Sequence, residues 1–405
     1  MTDRIKLEQK LAAHGQSHLL TEDADEAYLA ELDALDLDQV DRLFAGKDIA
    51  PTQDGEIASC NAVDEASMTA EDRAECEERG RALLRAGKVA VLTMAGGQGT
   101  RLGYNGPKGC YDVGVGVSLF GLLAERIRKL QGDCGGVIPW YIMTSEENND
   151  ETVAFFRKNG WFGLNERDVI FFRQGVLPLL DTDGRILLAA PGKISKGSDG
   201  NGGVFAALKN SGALADMAAR GILHVFFCGI DNALARPAEP LFVGFFDRDG
   251  APCASKSVAK SSPEERVGVF CTRNGRPCVI EYTELTPEMR TARAADGSLA
   301  YGDANIVTHL LRMDALQAVC GMGLPMHTAF KAIKHYDPAA GFVTPPSPNG
   351  YKFESFIFDA FAALDRMAIL RVEREHEFAP VKNAAGNDSP ATALALLVKN
   401  GYSAS

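Results

Sequence analysis

No run of eighteen apolar residues occurs in the 405-residue chain, so no segment is long enough to span a bilayer as a helix. The opening residues, Met1-Thr-Asp-Arg-Ile-Lys-Leu-Glu8, lack the apolar core of a secretion signal. Cysteine is not scarce, but its useful spacings are: of nine, no two lie closer than Cys271 and Cys278. That excludes a CxxC redox pair and a zinc ribbon, leaving reduced, mostly buried thiols and a cytoplasmic location as the expectation. Positive charge is in deficit, with 42 Lys and Arg against 54 Asp and Glu and a net charge of −12. Such a field disfavours nucleic acid and anionic membranes as partners. No GxxxxGK[ST] loop exists, and Gly97-x-Gly99 meets Leu102 where a dinucleotide fingerprint needs its third glycine. Repeats and low-complexity segments are missing too.

What is present is ordinary globular composition, 46% hydrophobic and 24% charged, in a length that suits more than one domain. Residues 1–50 carry twelve acidic and five basic side chains, with Leu29, Leu32, Leu35 and Leu37 at helical spacing. They read as short amphipathic helices. Residues 46–68 read as a linker, and Thr69 as the N-cap of a helix ending near Gly87. The division expected is an N-terminal helical region, 1–87, and a catalytic domain, 88–405. From Lys88 short apolar runs alternate with amphipathic stretches: 89–94, 119–130, 137–143, 150–158, 169–172, then helices 201–210 and 214–220 and the strand 223–228. Apolar runs of this kind suit strands buried on both faces, and the alternation predicts an α/β fold with a doubly wound, mostly parallel sheet. Runs at 254–259, 268–271 and 278–282 lie close together, as antiparallel strands of a second, smaller sheet would.

The first apolar strand runs into Ala95-Gly-Gly-Gln-Gly-Thr-Arg-Leu-Gly103, followed by Pro107-Lys108-Gly109. Clustered glycines at a strand's carboxyl end let backbone amides approach a ligand, and that edge is where open α/β sheets bind. Arg101 and Lys108 add a planar fork and a compact ammonium suited to phosphate oxygens. Asp231 follows the strand 223–228 and offers a hard oxygen ligand for a divalent cation, although an Asp-Asn pair after a strand is also a common turn. Four histidines, His224, His309, His327 and His335, show no metal spacing and read as packing residues.

This loop resembles the signature of sugar-nucleotide pyrophosphorylases. Further motifs follow in that family's order: Val169-Ile-Phe-Phe-Arg-Gln-Gly175, Asp199-Gly-Asn-Gly-Gly203, Asp231-Asn232, Val279-Ile-Glu-Tyr282, Asn305-Ile-Val307 and Phe378-Ala-Pro-Val-Lys-Asn383. Together they resemble the eukaryotic-type UDP-N-acetylhexosamine pyrophosphorylases of the UDP-sugar pyrophosphorylase family, over about residues 10–400. The resemblance implies a Rossmann-like nucleotidyltransferase domain. It implies a uridylyltransferase in which UTP and an N-acetylglucosamine or N-acetylgalactosamine 1-phosphate give UDP-sugar and pyrophosphate, with Mg²⁺ or Mn²⁺ as cofactor. Neighbouring readings are a glucose 1-phosphate or broad-specificity enzyme and a nucleotide-sugar sensor without turnover.

Residue by residue, the resemblance gives Arg101, Lys108 and Lys382 to the reacting phosphates and Asp231 to the metal. It gives Gly96, Gly97, Gly99, Thr100, Gln174 and Gly200 to the nucleotide, and Asn201, Glu281 and Asn305 to the sugar. Glu281, between Ile280 and Tyr282 in an apolar run, also reads as an outward, solvated carboxylate. The chain departs from the pattern at Gly197-Ser198, where relatives more often carry Ala-Pro. It ends at Ser405, without the C-terminal extension expected of eukaryotic relatives.

Overall fold

The computed structural model describes residues 3–21, 24–48 and 55–404. Its contacts divide the chain into two units, one of Met1–Asp54, Gly175–Gly203 and Leu324–Phe356, the other of Gly55–Gln174, Val204–Gly323 and Ile357–Ser405. The chain is therefore not partitioned by a single cut at residue 87. Of the expected linker 46–68, residues 49–54 lie outside the described residues.

In the first unit, α1 (Arg4–Ala13), α2 (Glu26–Ala34) and α3 (Leu37–Ala45) each begin at an aspartate, Asp3, Asp25 or Asp36, whose side chain accepts a hydrogen bond from an amide three residues on. Such caps satisfy donors the first turn leaves orphaned. Leu7, Leu11, Leu29, Leu32, Leu37 and Val40 cannot bury one another in helices this short. They pack on Leu177, Leu180, Ile186, Leu188, Ile194 and Phe353 from the two inserted segments. Those segments form small antiparallel sheets, including 327–331, 350–354 and 180–181 side by side.

The second unit is built on a large sheet. Its strands are β1 (Val89–Met94), β2 (Trp140–Thr144), β3 (Val169–Arg173), β4 (His224–Gly229), β5 (Cys253–Ala259), β6 (Asp303–Arg312) and β7 (Met367–Arg371). The order is β7-β5-β6-β4-β1-β2-β3, with Val63–Asp64 pairing outside β7. All neighbours run parallel except at β6, which is antiparallel to both β4 and β5. All residues of β1 and β2 are buried, as their apolar runs predict for strands covered on both faces.

Helix α4 (Ala70–Arg85) is capped by Thr69, which accepts from the amide of Asp72. Helix α5 (Leu119–Cys134) is capped by Ser118 and stops at Gly135 in the left-handed region. It presents Phe120 to Trp140 and Phe156, with ring centroids 5.0 to 6.3 Å apart; each such buried ring contributes about 2–3 kcal/mol. Helix α6 (Pro240–Asp249) crosses α4 so closely that a Cβ on Gly80 would overlap the Pro240 carbonyl and one on Gly244 the carbonyl of Cys76.

Two strand expectations are corrected. The run 254–259 lies inside the large sheet as β5, because six of its seven residues are buried and need cover on both faces. The run 278–282 ends as a strand at Ile280, and Glu281 enters a turn. It does form an antiparallel hairpin with Val269–Arg273, whose first residue pairs with Ala304 of β6. All nine cysteines are free, seven of them buried. Among the described residues, no helix is long and apolar enough to cross a membrane.

Candidate functional site

Strands β4, β1, β2 and β3 point their carboxyl ends the same way, and the loop 95–110 leaves β1 at that edge. Its shape is fixed by its own backbone: the Gly99 amide donates to Gly106 O at 2.9 Å and the Lys108 amide to Gly97 O at 3.1 Å. Thr100 and Arg101 lie in one 3₁₀ turn, both exposed. A Cβ on Gly96 would displace the end of the Gln174 side chain, whose Oε1 it would run into. The amide of Gln174 in turn donates to Thr144 O at 2.8 Å. Gly97 faces open space. The loop and the Gln174 side chain are thus in contact.

The cations converge. Burial pulls the Lys108 ammonium below its ordinary pKa; Asp231 opposes that, while the charges of Arg101 and Lys382 add to it. Four groups from three distant stretches therefore share one electrostatic neighbourhood. Lys108 Nζ donates to Val381 O at 3.3 Å. Lys382, 45% exposed, stands over the Phe378 ring with Asp388 4.0 Å away. Arg101 makes no hydrogen bond or ion pair among the described residues. Asp231 sits in the turn after β4, its carbonyl accepting from Val381 N–H at 2.8 Å.

A second cluster sits where β6 begins. The Asn305 amide donates to Gly268 O at 2.8 Å, and the Glu281 carboxylate lies 2.9 Å from where a Cβ on Gly268 would be. Asn305 Oδ1 accepts from Val307 N–H at 2.9 Å. Val307 has φ of 55°, a left-handed conformation that is an outlier for a β-branched residue.

Gly200 and Asn201 belong to the other unit. There the Gly200 amide donates to Ser198 Oγ at 3.1 Å, and Asn201 opens a 3₁₀ turn. Beside them Asp199 has one buried carboxylate oxygen without a partner among the described residues, and burial pushes its pKa up to about 6.

Sequence reasoning overlooked Asn148. It is fully buried, and its Nδ2 donates to Ala95 O at 3.0 Å and Gly97 O at 3.4 Å, holding the glycine loop from below. Its Oδ1 accepts from Ser145 N–H at 2.8 Å, and Ser145 Oγ accepts from Asn148 N–H at 3.2 Å. The Ser-x-x-Asn spacing after an apolar strand is the signal that marks it. Asn232, quoted only as the partner of Asp231, is a clamp. It donates to Glu377 O at 2.8 Å and accepts from the amides of Leu234 and Ala379 at 3.1 and 2.9 Å.

Comparisons with known proteins place the chain in a family. Residues 45–403 match the family model described as UTP–glucose-1-phosphate uridylyltransferase. A Homo sapiens protein named UDP-N-acetylhexosamine pyrophosphorylase-like protein 1 is 43% identical over 82% of this chain and 68% of its own length. The UDP-N-acetylglucosamine pyrophosphorylase of Saccharomyces cerevisiae is 43% identical over 78% of this chain and 69% of its own. Among solved structures, the uridine diphosphate N-acetylglucosamine pyrophosphorylase of Trypanosoma brucei superposes with a TM-score of 0.86 at 31% identity, covering 98% of this chain and 85% of that one. The chain belongs to the UTP–glucose-1-phosphate uridylyltransferase family.

Proposed function

We propose that the protein is a UDP-N-acetylglucosamine pyrophosphorylase, joining UTP and N-acetylglucosamine 1-phosphate to give the UDP-sugar and pyrophosphate. The observation that carries this reading is that Lys108 Nζ bonds the Val381 carbonyl and the Val381 amide bonds the Asp231 carbonyl, with Lys382 next in the chain and Arg101 in the same glycine loop, at the carboxyl edge of the parallel strands. In this reaction a phosphate oxygen of the sugar phosphate attacks the α-phosphorus of UTP. The bond from that phosphorus to the bridging oxygen of the β-phosphate breaks, and pyrophosphate leaves. Two anions must be brought together and a third expelled, so the barrier is electrostatic and positional. Sugar phosphates are already ionised near neutral pH, so no general base is required.

Each residue has a part in that scheme. Arg101, without a partner among the described residues, is free to fork onto the triphosphate. Lys108, partly removed from water, acts at closer to its full Coulomb strength than a solvated lysine does. Lys382 approaches from the opposite end of the sequence. Gly96, Gly97, Gly99 and Thr100 bring main-chain amides to the nucleotide, and Gln174 reads the uracil edge. Glu281 and Asn305 grip the hexose. For Gly200 and Asn201 we keep the base and sugar contacts that the resemblance implies.

Among the described residues no cluster of three or more His, Cys, Asp or Glu side chains could cage a metal. A lone carboxylate beside phosphate-binding cations fits a divalent ion completed by phosphate oxygens and water. Asp231 would hold Mg²⁺ or Mn²⁺, which when bound neutralises charge on the phosphates.

The test is pyrophosphate release by the purified protein with UTP, Mg²⁺ and a panel of sugar 1-phosphates. The highest kcat/KM is expected with N-acetylglucosamine 1-phosphate. A higher value with glucose 1-phosphate would reassign the sugar, and no release with any of them would reject the enzyme.

A further inference from the structure

The core behind the phosphate-binding cations contains an ion cluster that the reaction scheme does not use. Lys256, fully buried in β5, donates from Nζ to Glu239 Oε2 and to Glu377 Oε1, each at 2.6 Å. Arg236 completes the set at 3.0 Å from Glu239 and 3.7 Å from Glu377. Two cations and two carboxylates balance. A buried pair of this kind costs desolvation and is seldom more stabilising than well-packed apolar side chains, so stability alone does not explain it.

Its place in the chain offers another explanation. Glu377 is the residue from which 378–382 sets out toward the phosphate cations. From there each step is tied to the turn after β4. The Glu377 carbonyl accepts from Asn232 Nδ2, the Ala379 amide donates to Asn232 Oδ1, and the Val381 amide donates to the Asp231 carbonyl at 2.8 Å. Asn232 and Pro380 pair as an isolated antiparallel bridge. The Val381 carbonyl then takes the hydrogen bond of Lys108 Nζ, and Lys382 follows. A slip of one residue in this extended run would send Lys382 to the opposite face. An ion pair at its root, with fixed partners, selects one register where an apolar contact would tolerate several.

We infer that Lys256, through Glu377 and Glu239, is a positioning residue that sets the register of 378–382 and so places Lys382 at the reacting phosphates. This rests on the reading above in which Lys382 meets those phosphates. Lys256→Met should lower kcat about tenfold or more, with a smaller change in KM for UTP. Placed in a Lys382→Ala background, the same substitution should cost less than about twofold, because the residue it positions is gone. Glu239→Gln keeps volume at the cluster's more open edge. It should reproduce the effect at about threefold, and it decides the matter if Lys256→Met does not fold. A readout independent of turnover is amide hydrogen exchange, which should quicken about tenfold at Ala379 and Val381 in both variants. Losses that multiply in the Lys382→Ala background, or unchanged exchange at 379 and 381 in folded Glu239→Gln, would overturn the inference. A wild-type protein idle with every sugar phosphate would overturn the proposed function instead, and exchange alone would then decide the positioning role.

Discussion

Arg101 stands exposed on its 3₁₀ turn with no partner among the described residues, so its removal should leave the fold alone and act on the chemistry. Arg101→Ala is expected to lower kcat by about a hundredfold or more, the usual effect of deleting a fixed charge aimed at a developing anion. Unchanged turnover would take it out of the site. Gln174→Ala should reduce the preference for UTP over other triphosphates by about tenfold or more, since a hydrogen-bonding pocket discriminates by leaving polar groups of wrong ligands unpaired. Initial rates with the four nucleoside triphosphates measure it. His309 belongs to stability. It is fully buried in β6, with Nδ1 2.7 Å from Ser255 Oγ and Nε2 without a partner among the described residues, and burial pulls its pKa down to about 3. The unfolded chain, at the ordinary histidine value near 6.5, takes up a proton that the folded one refuses. Its contribution is therefore whole above about pH 6.5 and falls as pH drops toward 3. The stability difference between wild type and His309→Gln should narrow by about 2 kcal/mol from pH 7 to pH 5. Urea midpoints at the two pH values check this, and a constant difference would contradict it.

At the level of elements, the contact of α4 with α6 is the most demanding packing in the second unit, because two helix backbones meet at Gly80 and Gly244 with no side chain between them. Gly244→Ala has nowhere to put its methyl without moving the helices apart. It should cost about 2 kcal/mol or more, seen as a lower urea midpoint at unchanged active-site occupancy. The parallel strands β1 to β4 were legible in the sequence because each carries a short, nearly unbroken apolar run, and the glycine loop because it follows one of them. Strand β6 and the placement of β5 were not. Their buried positions hold Ser255, Lys256, Ser257, Asp303, Thr308 and His309, and two pairs of these bond across strands, Ser255 with His309 and Ser257 with Asp303, while Lys256 turns to Glu239 and Glu377. Ser257 Oγ donates to Asp303 Oδ1 at 2.8 Å and Arg371 forks onto the same carboxylate. A ladder of paired polar groups erases the hydrophobic signal that periodicity depends on. Asn148 was missed for a related reason, since a buried asparagine looks like a turn residue until its carbonyl partners are known.

For the molecule as a whole, a net charge of −12 coexists with a local cluster of three cations, and under the proposed function that corner holds anionic substrates against the general field. Ligand binding should therefore show as stability. UDP-N-acetylglucosamine at about 100 times its Kd should add about 2.7 kcal/mol to the unit that binds it and raise its Tm by a few degrees. A thermal scan that shifts equally with UDP and with UDP-sugar would argue against the sugar contacts at Glu281 and Asn305. The two units assemble from interleaved segments, which is why the N-terminal leucines, read alone, pointed to a region of their own when their burial partners lie at 175–203 and 324–356.

The reversed strand β6 also bears on how the chain is made. It seals the flank of β4, yet it emerges from the ribosome some eighty residues after β4. Until residue 312 is synthesised, a nascent chain that has already paired β3, β2, β1 and β4 presents an unpaired apolar edge. Such edges invite pairing with other chains. Truncation products ending between about 230 and 300 should accordingly be the aggregation-prone species during expression, and the interval before β6 the one most in need of chaperone protection.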